Sequence, residues 1–265
     1  MATGSLQEWQ RYDRRTRIGR YLMILASLII LAISWVSLEL DFGYLLSAPA
    51  NLADLFVRMY PPDWGYTTTI VDPMIQTINI AIVGTIVAVI IAFPVAFLSA
   101  KNTTPNKATY VLGKFIISFS RSVNGIIWGL ITVIMFGPGA LAGMVAVGLR
   151  AIGFVAKLLG EEIEEIATGS VEGVRATGAG TFLVFLYGIF PQIKPALVGI
   201  SIYRWDINVR ISTVIGFVGA GGIGVHLFEA IETFAWRTVL LILIAILGVV
   251  IVSEALSAYL RAKVR

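Results

Sequence analysis

Three arginines in or beside apolar segments are the side chains of this sequence best suited to bind a ligand. They are Arg121, Arg150 and Arg210, and few acids in the apolar segments are available to pair with them. A cation inside a membrane costs about 2.5–3.5 kcal/mol on insertion scales unless it reaches water or a partner. Since a guanidinium binds two oxygens of an anion at once, these residues are candidates for an anion pathway. The alternatives are that they reach the cytoplasmic surface, that they form structural pairs or, for Arg210, that it contacts the external binding protein.

Residue types that the chain lacks exclude most catalytic and metal chemistry. It has no cysteine and one histidine, His226, which leaves no thiolate chemistry and no histidine-based metal site. A membrane-embedded hydrolase would need paired acids or a nucleophile with its base, and the apolar segments offer almost none. We expect no catalytic residue, no metal and no cofactor bound by this chain.

The stretch GAGGIG at residues 219–224 formally matches the G-x-G-x-x-G motif. A dinucleotide site needs a strand, a turn and a helix around that motif, with a carboxylate about 20 residues downstream. Here the motif lies inside an apolar segment, which favours close helix packing or a gate that bends. Gly219, Gly221 and Gly222 are therefore candidate gate residues.

Composition indicates the class of fold. The chain has 265 residues, of which 57% are hydrophobic and 14% charged, and its mean hydropathy is +0.86. Soluble domains carry about 25% charged residues, so this chain cannot cover a soluble fold with polar side chains. We predict an all-α polytopic transmembrane bundle, with a basic cytoplasmic tail over 1–20 and a single transmembrane domain over 21–265 whose first span is not cleaved.

Six segments are apolar over the length of about 20 residues that a membrane-spanning helix needs. They are Tyr21–Leu38, Pro73–Ala100, a helix ending near Phe136, a helix starting near Ala140, Thr181–Tyr203, and Trp236 to about Arg261. The apolar segment Ile211–Phe228 remains, and its many glycines weaken a helix. Irregular backbone is tolerated at membrane depth where it lines a cavity, so we expect a broken or re-entrant segment there.

The distribution of basic residues predicts the orientation. They cluster in the N-terminal tail, around the link after the second span and at the C-terminus, whereas Glu39–Asp72 holds five acids against one base. Because positive charge accumulates on the cytoplasmic side, we predict that both termini and the 101–107 link are cytoplasmic. The basic residues concerned are Arg11, Arg14, Arg15, Arg17, Arg20, Lys101, Lys107, Lys114, Arg261, Lys263 and Arg265.

Residues 160–180, between the fourth and fifth predicted spans, contain five of the chain's 16 acids. A solvated loop helix would explain the acids, but Glu172 is followed by Gly178 six residues later and by Pro191 thirteen after that. This spacing resembles the EAA loop of ABC-transporter permeases. A short helix of this kind seats in a groove of a partner, and Gly178 can end it in the left-handed conformation. The resemblance implies ATPase coupling by Glu172, Gly173, Val174, Arg175, Ala176, Thr177 and Gly178.

Several blocks of sequence resemble the phosphonate-transport permease family, and together they cover roughly residues 110–225. The blocks are residues 121–128, 152–158, 161–166, 172–179, 191–192, 203–210 and 216–224. The resemblance implies a type I ABC importer of the bacterial inner membrane, which moves phosphonate or phosphite anions by alternating access. It implies as partners a second copy of the chain, two cytoplasmic ATPase subunits that use ATP and Mg²⁺, an external binding protein and membrane lipid, without nucleic acid.

Two positions depart from the pattern expected of that family. Arg150 stands where a histidine is expected, and Asn124-Gly125 replaces a Pro-Glu-type pair. These differences leave the exact anion open. Asn124 is a further candidate for the pathway. Pro191 and Pro195 either kink the fifth span or take part in coupling.

Two other transporter classes remain as alternatives. A type I ABC permease for a different small solute would share all the features above. A secondary transporter would need coupling acids within its spans and usually shows two similar halves, and the sequence has neither. A permease is expected to be inert without its ATPase, whereas a secondary transporter works alone.

Overall fold

The structure, a computed structural model, describes residues 14–39 and 42–264, and all regular structure in that part of the chain is helical. These residues form two compact units that divide between Val57 and Arg58. Five helical segments are long and apolar enough to cross a membrane, and a sharply bent pair of helices makes a sixth. The prediction of an all-α fold with about six spans is confirmed.

The first unit contains α1 (Arg14–Ser37) and most of α2 (Phe42–Met59). α1 begins inside the predicted basic tail, and its apolar side chains are exposed, as in a helix that faces lipid. Its 24 residues extend about 36 Å, enough to cross the hydrocarbon core. α2 was not predicted, because the acidic segment was expected to be a connection. Three residues of the charge argument lie outside the described residues: Arg11, Asp41 and Arg265.

The second unit is built around α3 (Thr67–Ser99) and α6 (Ala140–Glu164), which pack closely through small residues. On α3 these recur every fourth position, at Gly84, Ala88, Ala92 and Ala96. A Cβ added at Gly84 would lie 3.0 Å from the carbonyl oxygen of Met144 on α6. Small residues permit this approach in a membrane, where van der Waals packing rather than the hydrophobic effect joins helices.

The third predicted span is two helices, α4 (Lys107–Ser122) and α5 (Gly125–Phe136), bent by 94°. A single helix within Ser122–Phe136 was expected, but the 12 residues of α5 extend only about 18 Å. Asn124 caps α5 by accepting a hydrogen bond from the Ile126 N–H at 3.2 Å. Ser120, just before the bend, accepts one from the Gly153 N–H on α6 at 2.9 Å. The bend between α4 and α5 therefore packs against the middle of α6.

The fifth span extends further than predicted. α9 (Phe190–Ile215) continues twelve residues beyond Tyr203, so its last residues belong to a regular helix rather than to a broken segment. The expected break is confirmed, but it is confined to residues 219–222 and is followed by α10 (Ile223–Glu232). The remaining elements are α7 (Thr168–Ala176), α8 (Thr181–Val184), a π-helical turn (Phe185–Ile189), α11 (Trp236–Val264) and 3-10 turns at Trp64–Tyr66 and Gly216–Val218.

Hydrogen bonds between connections define the two ends of the second unit. At one end, which we call the Pro61 end, the Arg237 Nε donates to the Pro61 carbonyl at 2.8 Å, joining the starts of α3 and α11. At the opposite end, the Lys101 end, the Lys101 N–H donates to Glu164 Oε1 at 2.9 Å and joins the ends of α3 and α6. α7 lies at the Lys101 end, because it follows α6 directly.

Candidate functional site

The predicted coupling residues Glu172–Ala176 form the second half of α7, a nine-residue helix, and Thr177 and Gly178 follow it. Only Val171 and Val174 are half-buried, and the rest of the helix is exposed. As predicted, Gly178 follows the helix with a left-handed φ of +80°, and its N–H donates to the Arg175 carbonyl at 2.9 Å. The acids at 161–164 belong to the end of α6, so the acidic loop is shorter than expected. α7 thus presents a mostly solvent-exposed surface at the Lys101 end.

Gln192 joins α7 to the base of α9, a role that the sequence analysis missed. Its Oε1 accepts from the Ala167 N–H, at the start of α7, at 2.9 Å. Its Nε2 donates to the Gly188 carbonyl in the π-helical turn at 2.6 Å. Gly188 itself packs against α7, since a Cβ there would lie 3.3 Å from the Cα of Val171. The side chain of Gln192 therefore ties together the coupling helix and the fifth span.

The π-helical turn next to Gln192 has a local cause. Pro191 has no N–H, so it cannot donate the i→i−4 bond of a regular α-helix. The chain widens into a π turn over Phe185–Ile189, and the Phe190 N–H then reaches the Phe185 carbonyl. π turns of this kind are frequent at functional sites. The prediction that Pro191 shapes the backbone here is confirmed, whereas its role in coupling stays a prediction.

A cleft of about 320 Å³ lies beside α7. Glu172 and Arg175 line it from α7, and Asn102 and Thr103 line it from the connection after α3. Phe185 of the π-helical turn forms part of the opposite wall. The connection after α3, the coupling helix and the base of α9 therefore meet at one surface of the Lys101 end.

A second cavity, of about 420 Å³, brings together three predicted pathway residues from three helices. Asn124 lies at the start of α5, Arg150 on α6 and Arg210 on α9, and the other walls are mainly aliphatic. We call this the Arg150 cavity. Arg121, the fourth predicted polar residue, is exposed on α4 and is not among the lining residues.

The sequence suggested that Arg150 lies near the end of a span. In the structure it lies well inside α6 instead. It is ten residues from the start of α6 and fourteen from its end, and the nearer end is about 15 Å away along the axis. Lining the pathway and reaching the cytoplasmic surface both stay predictions for this residue. Its guanidinium has no ion pair within the described residues, and it adjoins the space above Gly125, where a Cβ would lie 3.2 Å from Arg150 Cδ.

Arg210 is partly neutralised by an acid on its own helix. Its Nη2 pairs with Asp206 Oδ2 one turn earlier. Asp206 is buried, and its Oδ1 also accepts a hydrogen bond from the Ser253 hydroxyl of α11 at 2.9 Å. Asp206 therefore links α9 to α11 through Ser253 as well as pairing with Arg210.

The predicted gate glycines lie elsewhere, at the Pro61 end. Gly219, Gly221 and Gly222 all have positive φ, and a Cβ at Gly221 would lie 2.8 Å from the backbone nitrogen of Ala140. The Gly222 N–H donates to Gln76 Oε1 at 2.7 Å. These glycines are thus needed for a tight backbone junction, and their part in a gate stays a prediction.

The architecture defines a class of protein: a polytopic helical membrane protein with a short exposed helix at one end. Residues 92–265 match the family model described as "Binding-protein-dependent transport system inner membrane component", and the chain belongs to this family. It is the permease component of an ABC importer, as the sequence predicted.

Curated relatives and solved structures agree with that assignment. The chain is 37% identical over 238 residues to the phosphite transport system permease protein PtxC of Stutzerimonas stutzeri, covering 90% of this chain and 86% of that one. It is 34% identical to the phosphate-import permease protein PhnE of Mycolicibacterium smegmatis, covering 95% of this chain and 47% of that one. An inward-facing MetNI methionine ABC transporter superposes with a TM-score of 0.67 at 21% identity, over 77% of this chain and 99% of that chain, and shows the fold alone.

Proposed function

We propose that this chain forms the membrane pathway of an importer for small phosphorus oxyanions, phosphite or a phosphonate. The observation that carries the proposal is the Arg150 cavity, where Arg150 of α6 and Arg210 of α9 line one space. Curated relatives named for phosphite and phosphate transport support this substrate class.

The chemistry of the cavity suits an oxyanion that passes through without staying. Guanidinium groups bind two oxygens at once, and the amide of Asn124 can donate a further hydrogen bond. Gly125 contributes no carboxylate, so no side chain at that position repels an anion. Aliphatic walls from Ile207, Ile211 and Val214 keep the local dielectric low, which strengthens the attraction.

We infer that ATP hydrolysis occurs on separate subunits that dock on α7. The exposed Glu172–Gly178 segment and its tie through Gln192 to α9 support this contact. Two ATPase subunits that use ATP and Mg²⁺ would move the coupling helices and rock the spans between inward-open and outward-open states. Neither ATP nor Mg²⁺ needs a site on this chain.

The proposed assembly contains a second copy of this chain in the bacterial inner membrane. The Lys101 end faces the cytoplasm with both termini, because basic residues gather there. The external binding protein delivers the anion at the Pro61 end. Membrane lipid surrounds the bundle, and nucleic acid has no part in the assembly.

The test is uptake by the assembled transporter in proteoliposomes. The chain, its ATPase and its binding protein are reconstituted, and uptake of phosphite, methylphosphonate and phosphate is compared. We expect ATP-dependent uptake of one of these anions and none without the ATPase. Uptake driven by an ion gradient without the ATPase would establish a secondary transporter. ATP-dependent uptake of an unrelated solute, without uptake of any of the three anions, would overturn the proposed substrate class.

A further inference from the structure

Arg204 is a buried guanidinium that the mechanism above does not use. It lies on α9 and is 4% exposed, and its charge rests 5.0 Å from the ring centroid of Phe154 on α6. Its Nε and Nη2 atoms are buried and have no hydrogen-bond partner among the described residues. A buried donor without a partner is unfavourable, and a buried unpaired charge more so.

The charges around Arg204 leave it uncompensated. Phe154, against which Arg204 packs, lies one turn after Arg150 on α6, so the nearby charge on that helix is a second cation. Asp206 is two residues further along α9, but among the described residues its carboxylate bonds to Arg210 and Ser253 and not to Arg204. These three guanidinium groups and one carboxylate carry a net charge of two positive, so the group lacks an anion.

Arg204 also lies at the boundary between two cavities on the same side of α9. Ile207, Arg210, Ile211 and Val214 line the Arg150 cavity. Towards the Lys101 end, Ala196, Gly199 and Ile200 line a second cavity of about 510 Å³, together with Arg261 of α11. We call this the Arg261 cavity. Positions three and four apart share a helix face, so the cavities follow one stripe of α9 that is interrupted at residues 203–204.

Aromatic contacts occupy that interruption. The ring of Tyr203 lies 5.9 Å from the ring of Phe154 on α6. The guanidinium of Arg261 lies 5.4 Å from the ring of Tyr203 on the other side. Tyr203 and Arg204 thus lie between the two cavities along α9, although neither residue lines a cavity itself.

We propose that Arg204 is a second anion-coordinating residue, which receives a small tetrahedral oxyanion from Arg150 as it passes Tyr203. This inference rests on the proposed function, since it concerns the same pathway. Two guanidinium groups on facing helices, α6 and α9, can each bind two oxygens of such an anion. The anion supplies the hydrogen-bond acceptors that Arg204 lacks and offsets its repulsion by Arg150.

The experiment compares Arg204→Lys and Arg204→Met in the assembled transporter, with Arg121→Met as the control. Arg121 is an exposed arginine of α4 that lines neither cavity. Uptake is measured as a function of phosphite and methylphosphonate concentration, together with ATP hydrolysis stimulated by the loaded binding protein. We expect Arg204→Met to lower uptake at least about tenfold, Arg204→Lys to retain an intermediate rate, and both to keep the stimulated ATP hydrolysis.

A role in packing alone predicts a different pattern. Methionine fills the same space without the charge, so Arg204→Met would then transport as well as Arg204→Lys, and that result would overturn the inference. If Arg204→Met fails to assemble, the uptake of Arg204→Lys tests the inference alone. A lysine cannot bind two oxygens as a guanidinium does, so normal uptake by Arg204→Lys would overturn the inference. Failure of the wild-type transporter to take up any phosphorus oxyanion would instead overturn the proposed function.

Discussion

Gly125 and Arg150 are neighbours in space although they come from different helices. The absence of a side chain at Gly125 leaves room for the Arg150 side chain, whose Cδ would lie 3.2 Å from an added Cβ. Gly125 therefore leaves the space beside the start of α5 that the Arg150 side chain adjoins.

Replacing Arg150 tests the pathway at the residue scale. A hydrogen-bonded interaction with a charged group is worth about 1.5–3 kcal/mol, so Arg150→Gln is expected to lower oxyanion uptake roughly ten- to hundredfold. Uptake is measured in proteoliposomes at a fixed amount of assembled transporter. Arg121→Gln is the comparison, because Arg121 is exposed and does not line the cavity. An equal loss in both variants would contradict the assignment of Arg150 to the pathway.

Gly178 provides a second residue-scale prediction. Its φ of +80° is a conformation that costs an L-residue with a side chain roughly 1–2 kcal/mol, and a β-branched one is least tolerated. Gly178→Val is expected to move the end of α7 and to uncouple ATP hydrolysis from uptake, while the protein still reaches the membrane. The measurement is the number of anions taken up per ATP hydrolysed. Gly180→Ala is the control, since Gly180 has an ordinary φ of −68° and open space around it.

At the scale of elements, Gln192 connects α7 to the base of the fifth span. α7 has no fully buried side chain, so its own packing holds it weakly. The two hydrogen bonds of Gln192, to the start of α7 and to the π-helical turn, supplement that packing. A displacement of α7 would thus reach α9, whose residues line the Arg150 cavity.

Gln192→Ala removes both hydrogen bonds. We expect ATP hydrolysis to continue and uptake per ATP to fall by about tenfold, which corresponds to a coupling free energy of roughly 1.4 kcal/mol. Gln192→Glu keeps the acceptor for the Ala167 N–H but loses the donor to Gly188, and an intermediate ratio is expected. A normal ratio of anion to ATP in Gln192→Ala would show that α7 and α9 couple through packing alone.

At the scale of the whole molecule, the two ends of the second unit differ in basic residues. The Lys101 end carries Lys101, Lys107, Arg175, Arg261 and Lys263. Arg237 lies at the Pro61 end. Since lysine and arginine near the spans set the orientation, this asymmetry supports a cytoplasmic Lys101 end.

The natural absence of cysteine makes this topology directly testable. Single cysteines are introduced as Gly169→Cys at the start of α7 and as Thr233→Cys in the connection between α10 and α11, both at exposed positions. A membrane-impermeant maleimide is expected to label Thr233→Cys in intact cells, and to label Gly169→Cys only after permeabilisation. The reverse pattern would contradict the proposed orientation and, with it, docking of a cytoplasmic ATPase on α7.

Sequence by itself determined the class of fold, about six spans, the family and the presence of a short helix before Gly178. These rest on composition, on the length of apolar runs and on the spacing of Glu172, Gly178 and Pro191, which are local properties of the chain. The left-handed Gly178 and the break at residues 219–222 were predictable for the same reason, since glycine spacing reports local backbone conformation.

Tertiary structure alone decided where charged residues lie relative to the spans. Apolar runs end at charges in the sequence, so the fifth span was predicted to stop at Tyr203, and Arg204 and Asp206 fell outside it. In the structure α9 continues to Ile215 because contacts from α6 and α11 receive those charges, through Phe154 and Ser253. The grouping of Asn124, Arg150 and Arg210 around one cavity likewise depends on the 94° bend between α4 and α5. Contacts between distant segments produce both features, and no pattern within one segment records them.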